Sequence, residues 1–254
     1  VATVHTDAGD HALQRAVLDH PHIPRRTVLS PARLDLSPVD LNRGAVGRIG
    51  YVMGSGDRVL DVLRTLGYPV DELDVAALGA GGLERYGAIV LGIRALNVHP
   101  ELFAHNDTLV AYVARGGRVI VQYNTHGRWA TFDQPFGPAP FAIGRGRVTD
   151  ETAPLVALDP AHPALTTPNP LGPSDLDGWV QERGLYFAAS WDEAWTPLFT
   201  THDPGGEPLT GSTLVATHGE GVFVYTGLSF FRQLPAGVPG AVRLFANLLA
   251  LEPS

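Results

Sequence analysis

The chain has 254 residues, a formal net charge of −8 and 17% charged residues, which is ordinary for a globular protein large enough to bury a core. No basic cluster stands out, so nucleic acid is a poor candidate partner. No apolar run approaches the roughly 20 residues that a membrane span needs. The chain contains neither Cys nor Lys, which excludes catalysis by a thiolate or through a lysine Schiff base.

The first 45 residues are rich in His, Pro, Asp and Arg and show only weak periodicity. Because prolines interrupt this segment repeatedly, long regular elements are not expected in it. We predict a lead-in or linker from a preceding domain over residues 1–45, with a short helix at His11–Leu18 and an extended segment within Thr27–Leu36. The chain opens at Val1 without Met or a signal peptide, so we expect a piece of a longer polypeptide or a processed form.

Strands and helices alternate from Arg48 to Tyr123. Apolar runs bounded by glycine predict strands at 49–53, 70–73, 88–93 and 118–123, and the intervening segments predict helices at 57–66, 74–78 and 101–114. This alternation implies a parallel sheet with right-handed crossovers. We therefore expect one α/β domain over residues 46–254.

The pattern is looser after Thr125, where a long insertion rich in Pro and Gly begins. The remaining predictions are an extended segment within 148–158, a loop over 159–178, a β-hairpin over 214–226 and a C-terminal helix over 236–251.

Polar side chains follow two neighbouring predicted strands at the point where each strand ends. Arg94 and Asn97 follow one of these strands, and Asn124 and His126 follow the next. The carboxyl ends of parallel strands meet at one edge of a sheet, which is where ligands of such folds bind. We therefore expect these four side chains to converge near Asp57 in a ligand cleft.

A second cluster combines an aromatic platform with polar groups. It contains Trp179, Gln181 and Arg183, with Trp191 close behind. Aromatic faces stack on the C–H faces of sugars while amide and guanidinium groups bind their hydroxyls, so this composition favours carbohydrate recognition. Arg232, at the end of the last predicted strand, is expected at the same edge. A packed aromatic core beside a surface ion pair is the plainer interpretation of these residues, and both interpretations remain open.

Three other motifs have plainer interpretations. Gly54–Val59 follows a strand and opens a helix like a nucleotide-binding loop, but Val59 replaces the third glycine. Gly227–Phe231 matches a nucleophile elbow only in part, and no base can be paired with Ser229. The histidines beside Pro21 lack the spacing of metal ligands, so neither a metal nor a cofactor is expected.

Several segments together resemble the C-terminal region of large bacterial PIG-L (LmbE-like) deacetylase proteins: Arg48–Asp57 (RIGYVMGSGD), Ile89–Ala95 (IVLGIRA), Val121–Thr125 (VQYNT), Gly178–Phe187 (GWVQERGLYF) and Tyr225–Gly240 (YTGLSFFRQLPAGVPG). That region is similar to class I glutamine amidotransferases and related in plan to ThuA-like proteins. The resemblance implies a flavodoxin-like, three-layer α/β/α fold with a mainly parallel sheet. It also implies a PIG-L-type deacetylase domain as a partner in the same polypeptide.

The resemblance does not carry an activity over. Amidotransferases use a Cys activated by His and Glu, and this chain has no Cys; the His-Pro-Asp-Asp type motif of the zinc deacetylase is missing too. We therefore predict a non-catalytic accessory domain that binds carbohydrate or docks the catalytic domain. The alternative is a sugar-directed hydrolase or isomerase with its site at the strand C-terminal ends and His126 or Glu182 as general base.

Overall fold

A computed structural model of the chain describes residues 3–33, 36–127 and 135–253. These residues form two compact units, one ending at Pro38 and the other beginning at Val39. None of the helices within the described ranges is long and apolar enough to cross a membrane.

The first unit consists of two antiparallel hairpins: β1 (Val4–Thr6) with β2 (Gly9–His11), and β3 (Leu13–His20) with β4 (Ile23–Pro31). The predicted helix at His11–Leu18 is wrong, because this segment belongs to strands. Its backbone hydrogen bonds go to β4, across a turn, and such a partner leaves no trace in local periodicity. The extended segment predicted after Thr27 is confirmed as far as Pro31.

The second unit begins with alternating strands and helices: β5 (Ile49–Val52), α1 (Val59–Thr65), β6 (Val70–Glu72), α2 (Val75–Gly79), β7 (Ala88–Leu91), α3 (Ala95–Val98), α4 (Asn106–Ala114) and β8 (Arg118–Gln122). Short 3₁₀ turns occupy Leu83–Arg85 and Pro100–His105. The second of these turns replaces the beginning of the predicted helix 101–114.

The C-terminal part is richer in strands: β9 (Phe141–Val148), β10 (Leu155–Ala157), α5 (Pro163–Thr166), β11 (Gly184–Trp191), β12 (Thr196–Pro197), β13 (Phe199–Thr201), β14 (Thr213–His218), β15 (Gly221–Thr226), α6 (Phe230–Gln233) and α7 (Pro239–Ala250). A 3₁₀ turn lies at Pro173–Leu176. The predicted hairpin is confirmed as β14 and β15, and the predicted C-terminal helix is α7.

Among the described residues, the central sheet has seven strands in the order β12-β14-β15-β8-β7-β5-β6. The five strands from β15 to β6 run parallel to one another, whereas β14 pairs antiparallel with both of its neighbours, β12 and β15. Numbered along the chain, the parallel strands run 2-1-3-4-5, which is the flavodoxin-like order. The pairs β9–β11 and β10–β13 form separate small sheets.

Alternate residues of the parallel strands face two separate cores, as the period of two in a strand requires. One core combines Val90, Ile120 and Val224 with α1 and α7. The other combines Ile89, Val121 and Phe223 with α2 and α4. Helices therefore cover both faces of the sheet, and the predicted three-layer α/β/α fold is confirmed.

Two buried asparagines, Asn247 and Asn169, link α7 by hydrogen bonds to neighbouring segments of the chain. Asn247 accepts hydrogen bonds from the backbone and side chain of Asn169, both at 2.9 Å, and donates to the Ala164 carbonyl at 3.0 Å. Asn169 in turn exchanges two hydrogen bonds of 2.8 Å with the backbone of Asn42. A buried polar group that loses its partner costs about 1–3 kcal/mol, so this network selects a single packing of α7.

We expect Asn247→Leu to lower the free energy of unfolding by about 2–4 kcal/mol, since it leaves several buried backbone and amide groups unpaired. The matched control is Asn42→Ala: that side chain is exposed and, among the described residues, bonds only the Gly44 N–H, at 3.0 Å, so the loss should stay below about 1 kcal/mol. Urea denaturation measures both, and equal losses would contradict the network's role.

His162 should make stability depend on pH. Its Nδ1 accepts a hydrogen bond from the Ala164 N–H at 3.1 Å, which only the neutral ring can do. Burial lowers the pKa of His162 below its ordinary 6.5, although Asp159 opposes the shift. As pH falls the unfolded chain takes up the proton first, so the free energy of unfolding should be level above about pH 6.5 and decrease below it.

The measurement is urea denaturation between about pH 7 and pH 5, in parallel on the unmodified chain and on His162→Asn. Asparagine retains a hydrogen-bond acceptor but does not titrate, so its dependence on pH should be flatter. An identical pH slope in both proteins would show that His162 is not the group responsible.

Candidate functional site

The order of the parallel strands reverses between β5 and β7, where flavodoxin-like folds commonly bind ligands. Asp57, which follows β5, lies at this position. Its carboxylate accepts hydrogen bonds from the Tyr51 hydroxyl at 2.7 Å and from the backbone N–H groups of Val59 and Ile93 at 2.9 and 3.2 Å. The loop also closes on the neighbouring strand, because the Ser55 N–H donates to the Ile93 carbonyl at 2.9 Å. The N–H groups of Ser55 and Val59 are thus bonded within the protein, which favours a structural turn over a phosphate-binding loop.

Tyr51 connects Asp57 to the core. Its buried hydroxyl donates to Asp57 and accepts from Gln122 Nε2 at 3.1 Å. Burial raises the pKa of Tyr51 well above its usual value, and the nearby Asp57 charge adds to the shift. Tyr51 therefore remains a hydrogen-bond donor throughout the physiological pH range.

Asn97 and Asn124 join the loops that follow β7 and β8. The fully buried Asn124 accepts from the Leu96 N–H and donates to the Gln122 carbonyl, both at 2.9 Å. Asn97 donates to the Thr125 carbonyl at 3.1 Å and accepts from its N–H at 2.8 Å. The structure thus brings both residues to the predicted edge of the sheet, but their hydrogen-bonding groups are engaged by the protein's own backbone.

Three aromatic rings lie together at this edge. The ring of Tyr123, directly after β8, stacks on Tyr186 of β11 with centroids 6.0 Å apart and an angle of 9° between the planes. Phe231 contacts the same ring at 5.3 Å. We call these three residues the aromatic rim. Neither tyrosine hydroxyl has a hydrogen-bond partner within the described ranges; Tyr123 is buried, with 7% of its surface exposed, and Tyr186 is half-buried.

Two arginines place positive charge beside the aromatic rim. Burial raises the pKa of Tyr123 above its ordinary 10.0, and the charges of Arg94 and Arg232 lower it in part, while Glu182 acts in the opposite direction. These side chains are therefore close enough to Tyr123 for their charges to act on it. The exposed guanidinium of Arg94 makes no hydrogen bond or ion pair with any described residue, so its donors are available.

Glu182 holds Arg232 in position. Its buried carboxylate accepts from Arg232 Nε at 2.9 Å and from Arg147 Nη2 at 3.1 Å. Arg232 also donates to the side-chain oxygen of Gln181, and its guanidinium lies 4.7 Å from the centre of the Phe231 ring. Each oxygen of the Glu182 carboxylate therefore accepts a charge-assisted hydrogen bond from an arginine.

The backbone is strained around the aromatic rim. Within the described part of the chain, the non-glycine residues with left-handed backbone are Arg94, Gln181 and Tyr186, with φ of 57°, 69° and 55°. All three belong to the group just described. Such conformations cost roughly 1–3 kcal/mol each and cluster at functional sites. Together with the free hydroxyls and Arg94, they make this edge the candidate functional site.

Four predicted ligand residues lie in other surroundings. Trp179 is buried against the ring of Phe230, and Trp191 packs at the margin of the second core. Arg183 is buried and donates to the Ala153 carbonyl at 2.7 Å. His126 lines a small cavity of about 100 Å³. The structure therefore brings together Arg94, Gln181 and Arg232 around Tyr123, but not these four residues.

Two other kinds of site have little support. Ser229 is fully buried, so a substrate could not reach its hydroxyl without local opening. No three His, Asp or Glu side chains in the described ranges come together as a metal ion would require.

The aromatic rim as a unit does not follow from sequence reasoning. Tyr123 lies in the polar cluster after β8, so its place at the sheet edge was readable. Tyr186 comes from a distant strand, and neither its stacking nor its left-handed backbone has a sequence signal. The pairing of Glu182 with two arginines is equally a product of tertiary structure.

No protein-family model matches the chain, and no curated protein matches it. Among solved structures, it is similar to a ThuA-like protein from Bacteroides uniformis ATCC 8492, at 13% identity and a TM-score of 0.50, over 83% of this chain and 93% of that one. The chain has a ThuA-like fold. This likeness shows the fold alone.

Parts of two larger proteins also align with the chain. For the β-galactosidase from Rahnella sp. R3, the TM-score is 0.45 at 14% identity, over 79% of this chain. For the exo-β-1,4-mannosidase Op5Man5 from Opitutaceae bacterium strain TAV5, it is 0.43 at 13% identity, over 83% of this chain. The aligned regions span only 30% and 37% of those two proteins.

We expect Tyr51→Phe to lower the free energy of unfolding by about 1–3 kcal/mol, because Asp57 and Gln122 both lose a buried partner. Tyr68→Phe is the matched control: its hydroxyl makes one long hydrogen bond, 3.3 Å to the Arg43 carbonyl, so the loss should be about 0.5 kcal/mol. Urea denaturation distinguishes them. Equal losses would mean that Asp57 does not depend on Tyr51.

Proposed function

We propose that this chain is a non-catalytic accessory domain that binds carbohydrate at the aromatic rim, in a protein that also carries a PIG-L-type sugar deacetylase domain. One observation carries the binding proposal. Polar groups with no partner among the described residues, namely the hydroxyls of Tyr123 and Tyr186 and the guanidinium of Arg94, lie beside stacked rings where the parallel strands end.

This grouping suits a sugar. Sugar rings present C–H faces to aromatic side chains, and their neighbouring hydroxyls accept paired hydrogen bonds from a guanidinium. The phenol hydroxyls can donate or accept, so they suit either orientation of a sugar hydroxyl. The left-handed backbone at Arg94 and Tyr186 is unfavourable by itself, and such conformations cluster at ligand-binding sites.

Three observations favour binding over turnover. The sequence has no Cys, so the thiol chemistry of glutamine amidotransferases is excluded. Both oxygens of Glu182 accept hydrogen bonds from arginines, and Ser229 is buried. The hydrolase or isomerase alternative therefore depends on His126, which lies beside apolar Phe136 and Phe141.

The deacetylase context rests on the resemblance of segments such as Arg48–Asp57 and Tyr225–Gly240. Its test is the sequence of the full-length gene product. A His-Pro-Asp-Asp type motif in the same polypeptide is the expected result, and a full-length product without it would remove this part of the proposal while leaving sugar binding to its own test.

For the binding role, we expect Arg94→Gln to weaken binding of N-acetylglucosamine about tenfold, because hydrogen bonds from a charged donor to the ligand are lost. Isothermal titration calorimetry at millimolar protein measures this. The control is Arg115→Gln. Arg115 is an exposed arginine at the end of α4, near the start of β8 rather than its carboxyl end, so the affinity of this variant should not change. Tyr123→Phe, which keeps the stacked ring and removes the hydroxyl, should cause a smaller loss.

Failure to bind N-acetylglucosamine or any of a panel of neutral and acidic sugars would overturn carbohydrate binding. Binding that is equally strong in Arg94→Gln would overturn the site. Hydrolysis or isomerisation of any of these sugars that disappears in His126→Ala would instead establish the enzymatic alternative.

A further inference from the structure

A second concave site lies beside β10 and α5, apart from the aromatic rim. It is a cleft of about 480 Å³ with mainly apolar walls, to which Leu155, Leu165, Leu171 and Leu176 contribute. Small-molecule sites commonly measure about 300–1,000 Å³, so this volume is sufficient for one compact ligand. Arg183 and Asp177 also line the cleft, so its wall carries one charge of each sign.

Arg183 is buried, with 2% of its surface exposed. Its Nε donates to the Ala153 carbonyl at 2.7 Å, its Nη1 donates to the Leu176 carbonyl, and the guanidinium lies 5.4 Å from the centre of the Trp179 ring. Its Nη2 makes no hydrogen bond with any described residue. No carboxylate in the described ranges lies within 4.0 Å of the guanidinium, so its charge has no direct counter-ion.

A buried charge is costly unless it is paired with an opposite charge. Burial lowers the pKa of Arg183, and the more distant charges of Asp177 and Asp150 partly offset that effect. Carbonyl groups satisfy two of its hydrogen bonds without supplying a countercharge. An anionic group in the cleft would supply both the countercharge and an acceptor for Nη2.

We propose that this cleft binds a small monocarboxylate with an apolar body, its carboxylate accepting a hydrogen bond from Arg183 Nη2 and its apolar part resting against the leucines. A single negative charge fits better than two, because the repulsion from Asp177, which lines the cleft, and from Asp150 grows with the charge of the ligand. The mainly apolar walls likewise favour an organic acid over an inorganic anion. The cleft and the aromatic rim share no residue, so ligand binding in the cleft can be tested independently of sugar binding.

The probes are 4-phenylbutyrate and its neutral analogue 4-phenylbutan-1-ol, titrated into the chain by calorimetry at low salt. We expect the carboxylate to bind at least about tenfold more tightly than the alcohol, the difference expected for one charge-assisted hydrogen bond. Equal affinities, or no binding of either compound at millimolar concentration, would overturn the proposal.

Val156 provides a matched pair of variants. It lines the cleft on β10 and is 52% exposed, so substitutions there should leave the fold intact. Val156→Glu should weaken 4-phenylbutyrate about tenfold by charge repulsion, while Val156→Gln should retain most of the affinity. Unchanged carboxylate affinity in Val156→Glu would place the binding elsewhere.

Arg183→Met tests the charge directly and should abolish the preference for the carboxylate over the alcohol. This variant loses the bonds to Ala153 and Leu176 and so has a risk of not folding, which circular dichroism would reveal. In that case the Val156 pair decides the outcome, and a preference that survives in folded Arg183→Met would overturn the assignment of Arg183.

Discussion

The carboxylate of Glu182, held between Arg147 and Arg232, is the contact on which the candidate site depends. It joins β9, which carries Arg147, to α6, which carries Arg232. A buried carboxylate that loses such partners is strongly destabilising, so the three side chains adopt their positions together. Arg232 is thereby fixed beside Phe231 and Tyr123, at the edge where the parallel strands end.

In the same region, hydrogen bonds from Gln233 stabilise a segment with strained backbone. The fully buried side chain of Gln233 accepts from the Val180 N–H at 2.8 Å and donates to the carbonyls of Val180 and Glu182 at 2.9 and 3.3 Å. These bonds hold the segment that contains Gln181, whose left-handed backbone is unfavourable by itself. The hydrogen bonds of Gln233 therefore fix the position of Gln181. Binding groups that are fixed in this way suit a ligand that binds in one orientation.

The parallel half of the fold was predictable because strands such as Ala88–Leu91 are continuous apolar runs bounded by glycine, and that signal is local. Of the strands before Pro38, the sequence predicted an extended segment that matches the end of β4 but not the others, because these strands are exposed and defined by pairing across turns. At the site, the location of Arg94 and Arg232 followed from strand ends alone. The burial of Trp179 and Arg183 did not, since an aromatic and basic cluster has the same composition whether it lines a sugar site or packs inside.

The most direct test follows the arginine side-chain Nε–H resonances by nuclear magnetic resonance while N-acetylglucosamine is added. The account predicts that the signals of Arg94 and Arg232 shift in a saturable manner while that of Arg183 does not move, because only the first two flank the aromatic rim. Saturable shifts at Arg183 without any at Arg94, or no shifts at all, would contradict it.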